Sequence, residues 1–150
     1  MRKMIPVIVV AVLALDQATK FLASHLLTLA QSVPLIKGVF HITLVHNRGA
    51  AFGILKNQTP FFIFASLLAI LLIIAHLKSA RQQKREGVAL GLILAGALGN
   101  LIDRISLGYV IDFLDFRVWP VFNLADSAIT IGAILLGWSI LKPGAKKDAS

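Results

Sequence analysis

The chain has 150 residues, 15 Lys and Arg against 7 Asp and Glu, and a formal net charge of +8. Apolar residues make up 57% of it, charged residues 15%, and the mean hydropathy is +0.83. A soluble domain of this size has too much surface to cover for such a composition, and a disordered chain is poor in apolar residues and rich in charge. The absence of cysteine excludes disulfides, thiolate metal sites, cysteine nucleophiles and lipidation on sulfur, which leaves an integral membrane protein of one domain, 1–150.

A helix that crosses the hydrocarbon core needs about 20 largely apolar residues. In chain order the expected spans are 4–26, 58–77, 87–105 and 121–141. The second carries no formal charge; the first contains Asp16 and Lys20, the third ends on Asp103 and Arg104, and the fourth has Asp126 near its start. Arg2 and Lys3 ahead of an apolar run resemble the start of a cleaved signal peptide. No A-x-A site follows and Asp16-Gln17 makes a poor cleavage region, so an uncleaved first span is expected.

The basic residues orient these spans. Arg2 and Lys3 precede the first, Lys78, Arg81, Lys84 and Arg85 lie between the second and third, and Lys142, Lys146 and Lys147 follow the fourth. The positive-inside rule makes that side cytoplasmic, with both termini on it. The basic balance is therefore a topology signal and not a nucleic-acid footprint.

Two segments face the other side, Leu29 to Lys56 and Ser106 to Pro120. From Gly38 to His46, Phe40, Ile42 and Leu44 alternate with His41, Thr43 and Val45, a period of two that predicts a half-buried strand. Asn47-Arg48-Gly49-Ala50-Ala51-Phe52-Gly53 follows as a glycine-bearing turn, and Tyr109-Val110-Ile111 after Gly108 predicts another short strand. The fold class is thus mainly α: four transmembrane helices with a small extracytoplasmic sheet on the membrane surface.

Charged groups within a span are costly and mark function or buried pairing. With this topology Asp16, Lys20, Asn100, Asp103, Arg104, Asp112 and Asp126 all converge on the outer level of the bundle. Each has a plainer reading. Asp16 and Lys20, four apart, can neutralise one another on one helix face. Arg104, four residues after Asn100, can snorkel to phosphates. Asp126, three after Asn123, fits a helix cap, and Asp112 a turn beside Asp115. Asp103 and Asp115 read as structural or solvated. His25, His41, His46 and His76 match no metal-ligand spacing. Small residues at Gly91, Ala95 and Gly99, at Ala128 and Gly132, and at Ala133 and Gly137 read as close helix contacts. Residues 126, 130, 133 and 137 read as the face of the fourth span turned into the bundle.

Two aspartates brought together near a membrane surface suit a protease that activates water. Like charges at close range share one proton, so that one carboxylate acts as base while the other, protonated, polarises the scissile carbonyl. The N-terminus of the fourth helix favours Asp126 as the ionised member. Other catalytic signatures are missing from the sequence: G-x-S-x-G, H-E-x-x-H, the P-loop and G-x-G-x-x-G. A serine–lysine pair, Ser24 with Lys20, stands open on spacing alone, without a recognisable oxyanion hole.

Five segments in order carry a resemblance: Asp16-Gln17-Ala18-Thr19-Lys20, Asn47-Arg48-Gly49-Ala50-Ala51-Phe52, Gly96 to Arg104, Gly108-Tyr109-Val110-Ile111-Asp112-Phe113, and Phe122-Asn123-Leu124-Ala125-Asp126-Ser127. Together with four spans they resemble the bacterial lipoprotein signal peptidases, the signal peptidase II family, over nearly the whole chain. The resemblance implies an aspartic endopeptidase of the bacterial cytoplasmic (inner) membrane, multi-pass, with its site near the extracytoplasmic face. It would cleave diacylglyceryl-modified prolipoproteins just before the lipidated lipobox cysteine. The catalytic dyad maps onto Asp112 and Asp126; Asn47, Gly49, Asn100, Arg104 and Asn123 map onto substrate-binding or dyad-supporting positions, and Asp16 and Lys20 onto structural support. No metal or organic cofactor is implied. The implied partners are the prolipoproteins, membrane lipid and globomycin-type inhibitors, with no nucleic acid and a monomeric state. Two departures stand out: the stretch from Asp112 to Asp126 is short, and Ala95-Gly96 stands where a Gly-Gly pair is common. The rival reading is a small four-span proton-coupled transporter using Asp16, Asp112 and Asp126. Transporters place such acids at the midplane and show inverted repeats, and neither is found here.

Overall fold

The computed structural model describes residues 4–49, 58–78 and 84–141. Arg2, Lys3, Arg81, Lys142, Lys146 and Lys147, the turn residues Ala50 to Gly53 and the tail from Pro143 lie outside the described residues. The elements are α1 (Met4–Leu26), β1 (Ser32–Ile36), β2 (Phe40–Asn47), α2 (Thr59–Lys78), α3 (Lys84–Leu107), β3 (Val110–Asp115) and α4 (Leu124–Leu141). All four helices are long and apolar enough to cross a membrane. α3 extends beyond the expected span at both ends. α4 starts at Leu124 and not at 121, because Asn123 caps it.

α3 is the hub: α1, α2 and α4 each pack against it. α4 comes closest, since a Cβ on Gly96 would overlap the Ala125 carbonyl, and one on Gly132 would sit 2.7 Å from the Ala89 carbonyl. Backbones can approach this closely only where the side chain is absent. The expected contact at Ala133 and Gly137 is not made among the described residues: Ala133 is exposed and a Cβ on Gly137 would meet none of their atoms within 4 Å. The packed face of α4 is Ala125, Ala128 and Gly132; of the expected inward face, Asp126 and Thr130 line a cleft in the bundle, whereas Ala133 is exposed. α2 rests on α3 through Ile70, with Ile63, Ile73 and Leu77 around it. Most of its remaining surface, including Phe64, Leu68, Leu71 and Leu72, is exposed, as lipid contact requires.

The strands lie in the α1–α2 and α3–α4 connections, hence at one end of the bundle. They form an antiparallel sheet in the order β1-β2-β3. Leu44, Ile111 and Phe113 pack with Ala23 of α1 and fix the sheet to that helix. The expected strand from Gly38 begins at Phe40, because Gly38 has a φ of +76° and belongs to the hairpin turn. Tyr109 lies outside β3, which runs further than expected, from Val110 through Asp115. Asp112 is therefore a strand residue, 1% exposed, and not a turn aspartate.

Candidate active site

A helix start leaves backbone N–H groups without intrahelical partners. At α4, Asn123 Oδ1 accepts the Asp126 N–H at 2.9 Å, and Asp126 Oδ2 accepts the Asn123 N–H at 3.3 Å. This reciprocal cap accounts for one oxygen of Asp126. The other, Oδ1, accepts from Asn100 Nδ2 at 2.8 Å. The capping reading of Asp126 is correct and covers half of what the side chain does.

On β3, Asp112 Oδ1 accepts from Asn123 Nδ2 at 2.7 Å and Oδ2 from Asn47 Nδ2 at 2.8 Å. Asn47 is itself aimed: its Oδ1 accepts the Gly49 N–H at 2.9 Å. Asn123, fully buried, thus touches both carboxyl groups, one with its side chain and one with its backbone. Burial, and after it the neighbouring Asp126 carboxylate, push the Asp112 carboxyl up to about 7, against the Asn47 and Asn123 hydrogen bonds that favour its charged form. The proton it can hold near neutrality is the kind a general acid needs.

A cleft of about 520 Å³ opens beside the pair and is lined by Asn47, Gly49, Asn100, Arg104, Asp112 and Asp126. Its floor is a stripe of α3, Ile93, Ala97, Asn100 and Arg104, and Phe62, Ala65 and Ala69 of α2 form one wall; both sets recur at helical spacing. Ile129 and Thr130 of α4 and Trp119 and Pro120 of the short β3–α4 loop complete it. Arg104 does not run out to the bilayer surface alone: its guanidinium lies 5.1 Å from the Phe62 ring centroid, a cation–π arrangement.

Asp16 and Lys20 lie behind this cleft. Lys20 Nζ is 2.9 Å from Asp16 Oδ2, 2.9 Å from Asp103 Oδ2 and 3.0 Å from Asn100 Oδ1. The neutralising pair of the sequence reading exists, and it has a third member. Asp103 is 2% and Asp115 4% exposed, so neither is solvated; Asp115 holds Thr43 and Arg117. Sequence reasoning also passed over Gln17, whose Nε2 donates to Asp103 Oδ1 at 3.0 Å, and Phe62. The only signal for Gln17 is its place beside Asp16. Ser24 Oγ has no hydrogen-bond partner among the described residues, so no serine–lysine pair forms. No cluster of potential metal ligands occurs among the described residues.

Apolar helices around an inward-facing carboxyl pair and its cleft define a multi-pass membrane protein with an enzyme-like site. A family profile described as Signal peptidase (SPase) II matches residues 8–142. The lipoprotein signal peptidase of Halothermothrix orenii is 49% identical over 133 residues, 89% of this chain and 92% of the relative. That of Moorella thermoacetica is 48% identical over 139 residues, 91% of each. A bacterial membrane enzyme solved by the in meso method at 2.3 Å resolution superposes with a TM-score of 0.89 at 34% identity, covering 99% of this chain and 94% of the other. The chain belongs to the signal peptidase II family, the lipoprotein signal peptidases, and is a protease. That decides for an enzyme over the proton-coupled transporter.

Proposed function

We propose that the chain is an aspartic endopeptidase with Asp112 and Asp126 as its dyad, cleaving diacylglyceryl-modified prolipoproteins just before the lipidated lipobox cysteine. The observation that carries this reading is Asn123, hydrogen-bonded to both carboxyl groups at the edge of a cleft that both of them line. Asp126, at the positive end of α4, is the ionised member and takes a proton from the attacking water. Asp112 holds the other proton, shares it in a hydrogen bond with the scissile carbonyl oxygen as that becomes an oxyanion, and retains it when the intermediate collapses. Collapse of the tetrahedral intermediate breaks the carbon–nitrogen bond, and the proton gathered on Asp126 passes to the leaving amine of the cysteine. Carboxyl groups and water suffice for this sequence. Asn47, Asn100 and Asn123 hold the carboxyl oxygens, while Gly49 and Arg104 lie where the substrate backbone would pass.

The protein would sit in the bacterial cytoplasmic membrane with both termini inside, as the basic residues around Lys78 and Arg85 suggest. The sheet and the cleft would then face outward. A cleft between α2 and α4 lets a lipid-modified substrate enter sideways with its acyl chains still in lipid. Globomycin-type peptides would compete for the same cleft, and the enzyme would act as a monomer.

The test is cleavage by the purified protein in detergent of a diacylglyceryl-modified precursor and of the same precursor without lipid. Cleavage that needs the lipid and disappears in both Asp112→Asn and Asp126→Asn is expected. Cleavage that survives in either variant would remove that residue from the dyad. A folded wild type that cuts neither precursor would refute the substrate assignment.

A further inference from the structure

Asp16, Lys20 and Asp103 have no step in that reaction, yet they are 0%, 1% and 2% exposed. Three buried charges at membrane depth are costly to keep. One carboxylate would neutralise Lys20; the second calls for another explanation, and the remaining bonds of the two carboxylates supply it. Asp16 Oδ1 accepts the backbone N–H of Ala125 at 2.9 Å. Asp103 Oδ2 accepts the backbone N–H of Ile111 at 3.1 Å. Ala125 immediately precedes Asp126, and Ile111 immediately precedes Asp112.

Lys20 joins the two grips. An ammonium has three protons, and its partners here are Asp16, Asp103 and Asn100 Oδ1. The third contact turns the Asn100 amide so that its Nδ2 meets Asp126 Oδ1. Gln17 Nε2 adds a second link between the carboxylates, at 3.0 Å from Asp103 Oδ1 and 3.2 Å from Asp16 Oδ2. Gly99 gives Asp16 its path, since a Cβ there would overlap the Asp16 carboxylate.

We propose that Asp16, Lys20 and Asp103 form a positioning clamp that sets the separation of Asp112 and Asp126 by gripping the backbone amide immediately before each. The clamp rests on the dyad reading given above. Side chains are free to rotate, but a gripped amide fixes where the next Cα starts. A constellation must be held to within about 0.5 Å to be productive, and a displacement of about 1 Å can cost on the order of a hundredfold in rate.

The experiment measures kcat and KM on the lipidated precursor for Asp16→Ala, Asp103→Ala, their Asn counterparts, Lys20→Met and Asp112→Asn. All are the full chain, matched for folded fraction by melting in detergent. The Ala variants are expected to lose about 30- to 100-fold in kcat with KM within about twofold. The Asn variants, whose amide oxygen still accepts the backbone N–H, should recover to within about tenfold of wild type. A simple staple between helices would give no such rescue at equal folded fraction. Where an Ala variant does not fold, Lys20→Met and the Asn variants carry the test. A wild-type kcat in folded Lys20→Met, or Asn variants as slow as Asp112→Asn, would overturn the clamp. Cleavage by Asp112→Asn would instead strike at the dyad, whereas a dead Asp112→Asn beside clamp variants of full kcat strikes at the clamp alone.

Discussion

The protein holds two pairs of aspartates at one level of the bundle, and they have opposite surroundings. Asp16 and Asp103 share a lysine, lie within 2.9 Å of its ammonium and take no part in lining the cleft. Asp112 and Asp126 are bridged by asparagine amides, have no ammonium in direct contact among the described residues and open onto the cleft. A carboxylate whose partner is an ammonium has its charge paired and its remaining lone pairs free to hold backbone N–H groups. An amide tolerates either protonation state, so an aspartate held by amides can give and take a proton. The same side chain is thus closed into a frame or left open to a cleft according to which neighbours hold it.

That contrast can be broken by exchanging rate against stability. The largest effect is expected from Asp112→Asn or Asp126→Asn, which should lower the cleavage rate by on the order of a thousandfold or more. Melting in detergent should change little, since Asn keeps one of the two acceptor oxygens and removes a buried charge, which offsets the lost second bond. Lys20→Met should lose both: it leaves two carboxylates uncompensated, so unfolding should become easier by about 3–5 kcal/mol, read from the denaturation midpoint, and kcat of the folded fraction should fall as the clamp loosens. If Lys20→Met melts with the wild type, the closed pair is not an ionic frame.

A smaller effect belongs to pH. Asp112 is pushed from 3.8 to about 7, so its contribution to stability is full in acid and is lost as pH rises through about 7. Its proton leaves over the same range, and kcat/KM should fall about tenfold per pH unit above the midpoint. Asn47→Ala removes a bond that favours the charged form, so the fall should move to higher pH. A profile flat from pH 6 to about 9 would contradict a proton on Asp112. The smallest effect is expected at Arg117, which pairs with Asp115 from a side chain 48% exposed. Arg117→Ala should cost under about 1 kcal/mol and leave cleavage unchanged.

The spans were legible because apolar runs of that length have few other uses, and the α4 cap because Asn123 and Asp126 have the spacing a first turn requires. β1 was not legible. Ser32–Ile36 lacks alternation, contains Pro34 and is exposed throughout, so only its pairing with β2 makes it a strand; proline is tolerated there because the strand is at the edge. Asp103 was missed as a partner of Lys20 because Asp16, one turn away, already satisfied the lysine on paper. The inward face of α4 was legible only in part, at Asp126 and Thr130, because small residues fit a packed face and a cleft wall equally well. Gly96 and Gly132, and not Gly137, decide which side meets α3.

The two carboxyl groups of the cleft sit on elements made late, β3 and α4, whereas the frame that grips their backbone begins on α1. During synthesis the lysine and its first carboxylate enter the membrane long before anything they will hold. Asp126 arrives with the helix that follows all the others, so no earlier stage of insertion contains a complete pair. With the dyad proposed above, a membrane peptidase built this way would stay silent until its last span is seated.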